Sequence, residues 1–277
     1  INALYNLVDA YFVGGLGESP MGAISIVFPL GQVVVGLGLM FGNGAASYLS
    51  RLLGSGDKKT ANIVASTALY SSVLIGAVLI IFSTIFLKPI LTSLGATETI
   101  MPYALTYARI YVISCIFNVF NVTMNNIVAS EGAAKTTMCA LLLGAVINIG
   151  LDPLFIYTFD MGVAGAAIAT AISQFVSTLV YLTYILRKKS AFTFSIKDFI
   201  PTQQTFVEIL KIGIPTLTFQ LLTSLSIALI NRASSTYGDA VIAGMGAVTR
   251  VTSMGTLVVF GFLKGFQPIA GFSYGAK

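Results

Sequence analysis

Long hydrophobic runs separated by short polar turns make up most of this chain. A run of roughly 20 apolar residues can cross a bilayer as a helix. Runs of about that length or more occupy residues 22–50, 61–87, 100–127, 136–158, 162–186, 208–236 and 240–272, and a further one opens the chain at 1–17. Glycine-rich or glycine–acid turns separate them, as at 14–17, 54–57 and 237–239. The pattern predicts an all-α membrane protein, a polytopic helical bundle.

The composition agrees with a protein surrounded by lipid. Hydrophobic residues make up 56% of the chain and charged residues 9%, whereas about a quarter of the residues in a soluble domain are charged. The sequence has no histidine, and no glycine-rich loop has the spacing that binds nucleotide phosphates. Cys115 and Cys139 lie in apolar stretches and are interpreted as packing residues. The chain is therefore not expected to be an enzyme or to hold a cofactor.

The basic residues are concentrated in alternate loops. Loops on one side hold Arg51, Lys58, Lys59, Lys135, Arg187, Lys188, Lys189, Lys197, Lys211 and Lys277, whereas those on the other side hold only Lys88. Cytoplasmic loops of membrane proteins carry such an excess. The net charge of +5 thus indicates topology and not nucleic-acid binding, and it predicts that the basic loops are cytoplasmic.

A weak internal repeat relates the two parts of the chain. The turn at 16–23 resembles the turn at 237–244, and 54–58 resembles 273–277. Both copies begin on the same side, so the repeat relates two halves about an axis along the membrane normal. We predict an N-lobe at 1–187, a cytoplasmic linker at 188–205 and a partial C-lobe at 206–277. The predicted N-lobe has six helices and the predicted C-lobe has two. We therefore expect a fragment that lacks part of the first helix and four C-terminal helices.

Two isolated acids lie within the hydrophobic runs. Asp152 is the only charged residue between Thr136 and Phe159, and Asp9 is alone in the opening run. A carboxylate inside a membrane costs a few kcal/mol unless it is paired, hydrated or protonated, and by default it marks an ion or proton path. The structural alternative is that Asp152 stabilises a helix break at Pro153 and that Asp9 pairs with a neighbouring helix.

Four motifs stand out, at residues 6–17, at 129–132 with Asn148…Asp152-Pro153, at 162–170 and at 212–215. Together they resemble the multidrug and toxic compound extrusion (MATE) transporters. Residues 6–17 resemble that family's first helix, and 129–132 with Asn148…Asp152-Pro153 resemble its fourth loop and fifth helix. Residues 162–170 and 212–215 resemble the starts of its sixth and seventh helices. The resemblance implies a two-lobed fold. This chain would hold a complete N-lobe of six helices, the first truncated, and the first two helices of the C-lobe.

The resemblance also implies a cation-coupling site. Carried over residue by residue, that family's N-lobe site falls on Asp9, Asn148, Asp152 and Thr170. Helical spacing agrees, because Asp9, Asp152 and Thr170 each lie eight residues from an outer turn, which is about 12 Å along a helix. Asn148 and Asp152, spaced i,i+4, share a helix face. Such oxygen ligands suit Na⁺, and a desolvated carboxylate suits a proton, so the coupling ion stays open between H⁺ and Na⁺.

Other polar and small residues are weaker candidates. Those considered for a substrate cavity are Asn118, Asn121, Asn125, Gln220, Thr223 and Met254. The three asparagines serve equally well for hydrogen bonds between helices, which we favour. Arg250 and Lys264 are left without a role. Close helix contacts are expected at the pairs Gly38–Gly42 and Gly261–Gly265.

The expected function is secondary active transport. The resemblance implies efflux of cationic or amphipathic compounds in exchange for a cation, by a monomer in contact with lipids of a bacterial plasma (inner) membrane. The alternative is a flippase for lipid-linked oligosaccharides or polysaccharides of the same broad superfamily. The cavity of such a flippase would carry more arginines than this chain offers. The intramembrane arginines of this chain are Arg109, Arg232 and Arg250. A membrane scaffold or channel subunit fits the hydropathy but leaves the two acids without a role.

Overall fold

In a computed structural model, long helices account for nearly all of the part of the chain that is described. That part comprises residues 8 and 11–276, without the side chains at 250, 254, 257, 258, 260 and 264. Residues 11–14 are helical and are called α1 here. The helices that follow are α2 (Glu18–Ser55), α3 (Lys58–Ile85), α4 (Leu87–Ser93), α5 (Met101–Ser130), α6 (Ala134–Pro153), α7 (Gly162–Leu186), α8 (Gln203–Ser234) and α9 (Asp239–Gly275).

Most of these helices are long and apolar enough to cross a membrane. Within the described residues, six spans meet that criterion: Glu18–Ser55, Lys58–Ile85, Met101–Ser130, Ala134–Thr158, Gly162–Leu186 and Gln203–Tyr237. The prediction of a polytopic helical bundle is therefore confirmed. Two features were not predicted: the short helix α4, and a π-helix at Leu154–Thr158 that continues α6.

The internal repeat is visible in the backbone. Gly17 precedes α2 with φ 116° and ψ −179°, and Gly238 precedes α9 with φ 97° and ψ 170°. A residue with a side chain rarely adopts such a φ, so each turn requires its glycine. An acid, Glu18 or Asp239, then begins a helix of 38 or 37 residues.

The two repeated helices lie side by side and run in the same direction. Near their first turns, the side chain of Ser25 fills the space beside Gly246, and near their last turns Ser50 fills the space beside Gly271. Because α2 also packs along α5 and α8, it occupies the centre of the described bundle.

Small residues explain part of this packing. A Cβ at Gly38 would lie 2.8 Å from Val122, and one at Gly42 would lie 2.9 Å from the Thr123 backbone. The expected close contact of this pair is therefore confirmed, and its partner is α5. The expectation for Gly261 and Gly265 stays a prediction, since a Cβ at either position would meet no described atom within 4 Å.

The predicted linker is docked onto the bundle. Phe192 is buried in the same cluster as Leu49 and Ile127. Hydroxyl groups of α3 donate to linker carbonyls, from Ser66 to Thr193 at 3.0 Å and from Tyr70 to Phe194 at 3.0 Å. This segment thus packs against α2, α3 and α5 on its way from α7 to α8.

Glu131 anchors the beginning of this linker. Its carboxylate accepts hydrogen bonds from the Tyr184 hydroxyl at 2.8 Å, the Ser190 hydroxyl at 2.9 Å and the Ala191 amide at 2.6 Å. Burial raises the pKa of the Glu131 carboxyl, and these three hydrogen bonds lower it by less, so the net direction is upward. The acid thus ties the loop after α5 to the end of α7 and to the linker.

Replacing Glu131 with alanine is expected to release the linker. The substitution leaves three donors without their acceptor. Each donor that stays buried and unpaired costs about 1–3 kcal/mol of stability. Trypsin should then cleave the solubilised protein after Lys189 or Lys197 about tenfold faster than wild type, because local opening becomes more populated. Glu98→Ala, which removes an exposed acid, is the control. Equal cleavage rates in wild type and Glu131→Ala would contradict this role.

Candidate cation-coupling site

The acid singled out by the sequence lies at the end of α6, buried and paired with an amide. Asp152 is 0% exposed and Asn148 is 1% exposed. The Asn148 side-chain amide donates to Asp152 Oδ1 at 3.2 Å, one helical turn away. The Asn148 Oδ1 atom is buried and has no hydrogen-bond partner among the described residues. Two oxygen-bearing side chains thus meet in a part of α6, residues 138–153, that is otherwise apolar.

The helix changes its form directly after this pair. Pro153 ends α6, and Leu154–Thr158 continues as a π-helix. Proline lacks the N–H that an α-helix requires, and π segments occur frequently at functional sites. Gly165 of α7 permits a close approach here, since its Cβ would lie 2.7 Å from the Phe155 carbonyl carbon. The break is therefore fixed against a neighbouring helix.

The π-helix also contacts α1. The Tyr157 hydroxyl donates to the Phe12 carbonyl at 2.5 Å and occupies the space where Gly15 has no side chain. Val13 and Ile156 are both buried in one core cluster. Sequence reasoning missed Tyr157. The only signal for it was its position a few residues beyond a buried acid and proline.

The structure brings together two of the four predicted cation-site residues. Asn148 and Asp152 are in direct contact. Thr170 is half-buried on α7, five residues beyond Gly165, and its side chain makes no hydrogen bond with the described residues. Asp9 lies outside the described residues. The assignment of all four to one cation site therefore stays a prediction.

Two of the candidate cavity residues hold helices together. The Asn121 amide donates to the carbonyl and the side-chain oxygen of Gln174, both at 2.8 Å, and accepts from Thr178 at 3.0 Å. The Asn125 amide donates to the Tyr181 hydroxyl at 3.1 Å. These bonds join α5 to α7, which is the interhelical arrangement favoured from the sequence. Their role in a cavity stays a prediction.

The remaining candidates are dispersed. Asn118 is half-buried, and its side-chain oxygen has no hydrogen-bond partner among the described residues. Gln220 packs beside Gly36 on α2, and Thr223 donates to the Phe219 carbonyl of its own helix at 2.9 Å. The side chains of Met254, Arg250 and Lys264 lie outside the described residues.

The two predicted halves meet along the antiparallel pair α2 and α8. Pro29 cannot donate to the Ser25 carbonyl as an α-helix requires, and Asn231 of α8 donates to that carbonyl at 2.9 Å instead. Ser224 donates to the Pro29 carbonyl at 2.8 Å. Towards the basic loops, Gly213 lies against the Met40 backbone. Sequence reasoning missed Asn231 because its partner lies about 200 residues away in the chain, too far for any local spacing pattern.

Polar contacts join the halves at both ends of this interface. At the end with the basic loops, Arg51 of α2 pairs with Glu208 of α8 at 3.2 Å. At the opposite end, the Asp239 carboxylate accepts from Ser19 at 2.7 Å, Thr97 at 2.8 Å and Thr99 at 2.6 Å. The halves are thus held together on both sides of the bundle.

Comparison with known proteins agrees with this architecture. A sequence profile described as MatE matches residues 1–154, more than half of the chain. The chain belongs to the MatE family. The six-span bundle, the buried acid and the paired long helices α2 and α9 are therefore features of a MatE protein.

Similar proteins extend this finding to nearly the whole of this MatE chain. Multidrug export protein MepA of Staphylococcus saprophyticus is 32% identical over 99% of the chain and 61% of its own length. The solved structure of the MATE multidrug transporter DinF-BH gives a TM-score of 0.93 at 33% identity, covering 99% of this chain and 62% of that one. An inward-facing MATE family transporter gives 0.87 at 31%, covering 99% and 61%. The chain thus spans about three-fifths of the length of these relatives.

Proposed function

We propose that this chain is part of a secondary active antiporter that exports cationic or amphipathic compounds in exchange for H⁺ or Na⁺. The observation that carries the proposal is the buried Asn148–Asp152 pair, at a fixed helix break within a membrane span. The similarity to MepA, named as a multidrug export protein, supports the choice of cargo. We place the protein in a bacterial plasma membrane with its basic loops in the cytoplasm.

Coupling follows from the chemistry of a buried carboxylate. Asp152 is a buried acid inside a membrane span, a position that by default marks an ion or proton path. We propose that it takes up a proton or a cation when the site opens to the side of higher concentration. Asn148 Oδ1 offers a second oxygen, and Thr170 and Asp9 are proposed to complete the site. Oxygen donors of this kind accept a hard cation such as Na⁺.

Movement between the halves would transmit that binding. A ligand shifts a conformational equilibrium only when it binds one state better than the other. The α2–α8 contact joins the halves along its length, and the polar contacts of Arg51 and Asp239 stand at opposite ends of the bundle. We propose that cation binding changes the relative stability of the contacts at these two ends. The resulting movement of the halves releases the exported compound.

The test is a transport assay on the protein expressed from its complete gene. Inverted membrane vesicles would be given a proton gradient and then a sodium gradient, and uptake of a fluorescent cationic dye would be followed. Dye movement driven by one gradient supports the antiporter and identifies the ion. No movement under either gradient, with the protein present in the membrane, would overturn the proposal and favour the flippase alternative.

A further inference from the structure

A cavity of about 710 Å³ opens at the end of the bundle opposite the basic loops. Its walls come from α4, from the turn that follows it, and from the last turn of α8. Two basic side chains line it, Lys88 from the N-terminal half and Arg232 from the C-terminal half. The hydroxyl-bearing residues Thr92, Ser93 and Ser235 also line the cavity.

Neither cation has an acidic partner among the residues that the structure describes. Within the described part of the chain, the ion pairs are Arg51–Glu208 and Lys211–Glu208, so Lys88 and Arg232 take no part in one. Basic residues are rare on this side, as the distribution of the loops shows. Because two of them converge on one cavity from elements about 140 residues apart, their placement calls for a negatively charged occupant.

A close backbone contact fixes the distance between the two walls. Gly95 has φ +100°, and a Cβ there would lie 3.0 Å from both the Cα and the amide nitrogen of Arg232. Glycine adopts this conformation without the strain that a side chain would bring. The turn after α4 therefore packs directly on the backbone of α8, and this contact keeps the two cations at the lining of one cavity.

Both cations lie where the apolar surface of the bundle ends. Exposed hydrophobic residues lead up to Lys88, among them Phe82 at 53% and Ile85 at 67% exposure. The apolar surface at the end of α3 faces lipid tails, so Lys88, which follows it, and Arg232, which lines the same cavity, stand at the level of the headgroups.

Nearby negative charge does not occupy the cavity. Asp239 is hydrogen-bonded to Thr97, which lines the cavity. The Asp239 carboxylate already accepts three hydrogen bonds, from Ser19, Thr97 and Thr99. Glu98 is exposed and does not line the cavity. The two cations therefore face an open space and can bind an anion from outside the chain.

We propose that Lys88 and Arg232 bind a phosphate group, and that at the headgroup level this group belongs to an anionic phospholipid of the outer leaflet. Arginine binds phosphate oxygens through two parallel hydrogen bonds, and lysine adds a point charge. One lipid would then contact both halves of the protein at their outer boundary. This site is separate from the buried Asn148–Asp152 pair and does not depend on the transported compound.

Binding to the purified, detergent-solubilised protein tests the site. Short-chain phosphatidylglycerol, short-chain phosphatidylcholine and inorganic phosphate would be titrated separately, with native mass spectrometry and the melting temperature as readouts. The double variant Lys88→Gln/Arg232→Gln removes both charges and keeps much of each side-chain stem. The double variant Lys58→Gln/Lys59→Gln removes two exposed lysines at the opposite end and is the matched control.

Phosphatidylglycerol is expected to bind the wild type and the control alike, and the cavity variant about thirtyfold more weakly, the factor for two interfacial cations. Phosphatidylcholine, which has no net charge, should bind more weakly than phosphatidylglycerol. Inorganic phosphate that binds as tightly as phosphatidylglycerol, with the same loss in the cavity variant, would support the phosphate site and assign it to a soluble anion. Equal binding of all ligands to the wild type and the cavity variant would overturn the proposal.

Discussion

Asp152→Asn is expected to abolish gradient-driven efflux while leaving the protein folded. Asparagine has nearly the same shape and retains an oxygen that can accept the Asn148 amide hydrogen bond seen at 3.2 Å. It cannot take up a proton or neutralise a cation. Since allosteric coupling typically amounts to about 5–150-fold, gradient-driven dye transport in inverted vesicles should fall at least about fivefold, the lower bound of that range. Expression and the melting temperature should stay near those of wild type.

A matched control lies in the same polypeptide segment. Asp160 is exposed and has φ +53°, a conformation that asparagine tolerates well. Asp160→Asn therefore removes an equal charge close to the site without strain, and it should transport normally. Asp9→Asn should behave like Asp152→Asn if Asp9 belongs to the same site. Wild-type transport by Asp152→Asn would remove this acid from the coupling mechanism.

The spacing of apolar residues predicted the helices because the membrane leaves few alternatives. A spanning segment must satisfy its own backbone hydrogen bonds, so a long apolar run becomes a helix. The runs predicted at 61–87 and 162–186 correspond to Lys58–Ile85 and Gly162–Leu186. Asp152 stood out for the same reason, since an isolated charge in such a run requires a compensating environment.

Features that depend on contacts between distant residues were not predictable. The Pro153 break was foreseeable, but a π-helix at Leu154–Thr158 depends on the close approach of Gly165 from α7. The hydrogen bond from Asn231 to Ser25 likewise needs two helices to meet in a particular register. A single sequence does not show how closely two helices approach or in which register they meet. Tyr157, Asn231 and Asp239 were therefore not identified as structural anchors.

Gly44→Val is expected to separate the two halves at the end with the basic loops. A Cβ at Gly44 would overlap the carbonyl oxygen of Ile209 on α8, and backbone atoms there cannot turn aside as a flexible side chain could. Overpacking of this kind costs about 1–3 kcal/mol, which shifts the balance between joined and separated halves by about 5- to 150-fold. Gradient-driven transport should fall at least about fivefold, because the joined arrangement that the halves need in order to alternate becomes less populated.

Disulfide cross-linking measures that separation directly. The Asn43 amide and the Thr216 hydroxyl lie 3.2 Å apart across the interface, so cysteines at 43 and 216, with Cys115 and Cys139 replaced by alanine, should cross-link readily. Adding Gly44→Val should lower the initial cross-linking rate at least about fivefold, the lower bound of that shift. Gly261→Val is the control, because a Cβ at Gly261 would meet no atom of the described residues within 4 Å. An unchanged rate in Gly44→Val would show that α2 and α8 accommodate the side chain, and that this contact does not hold the halves together.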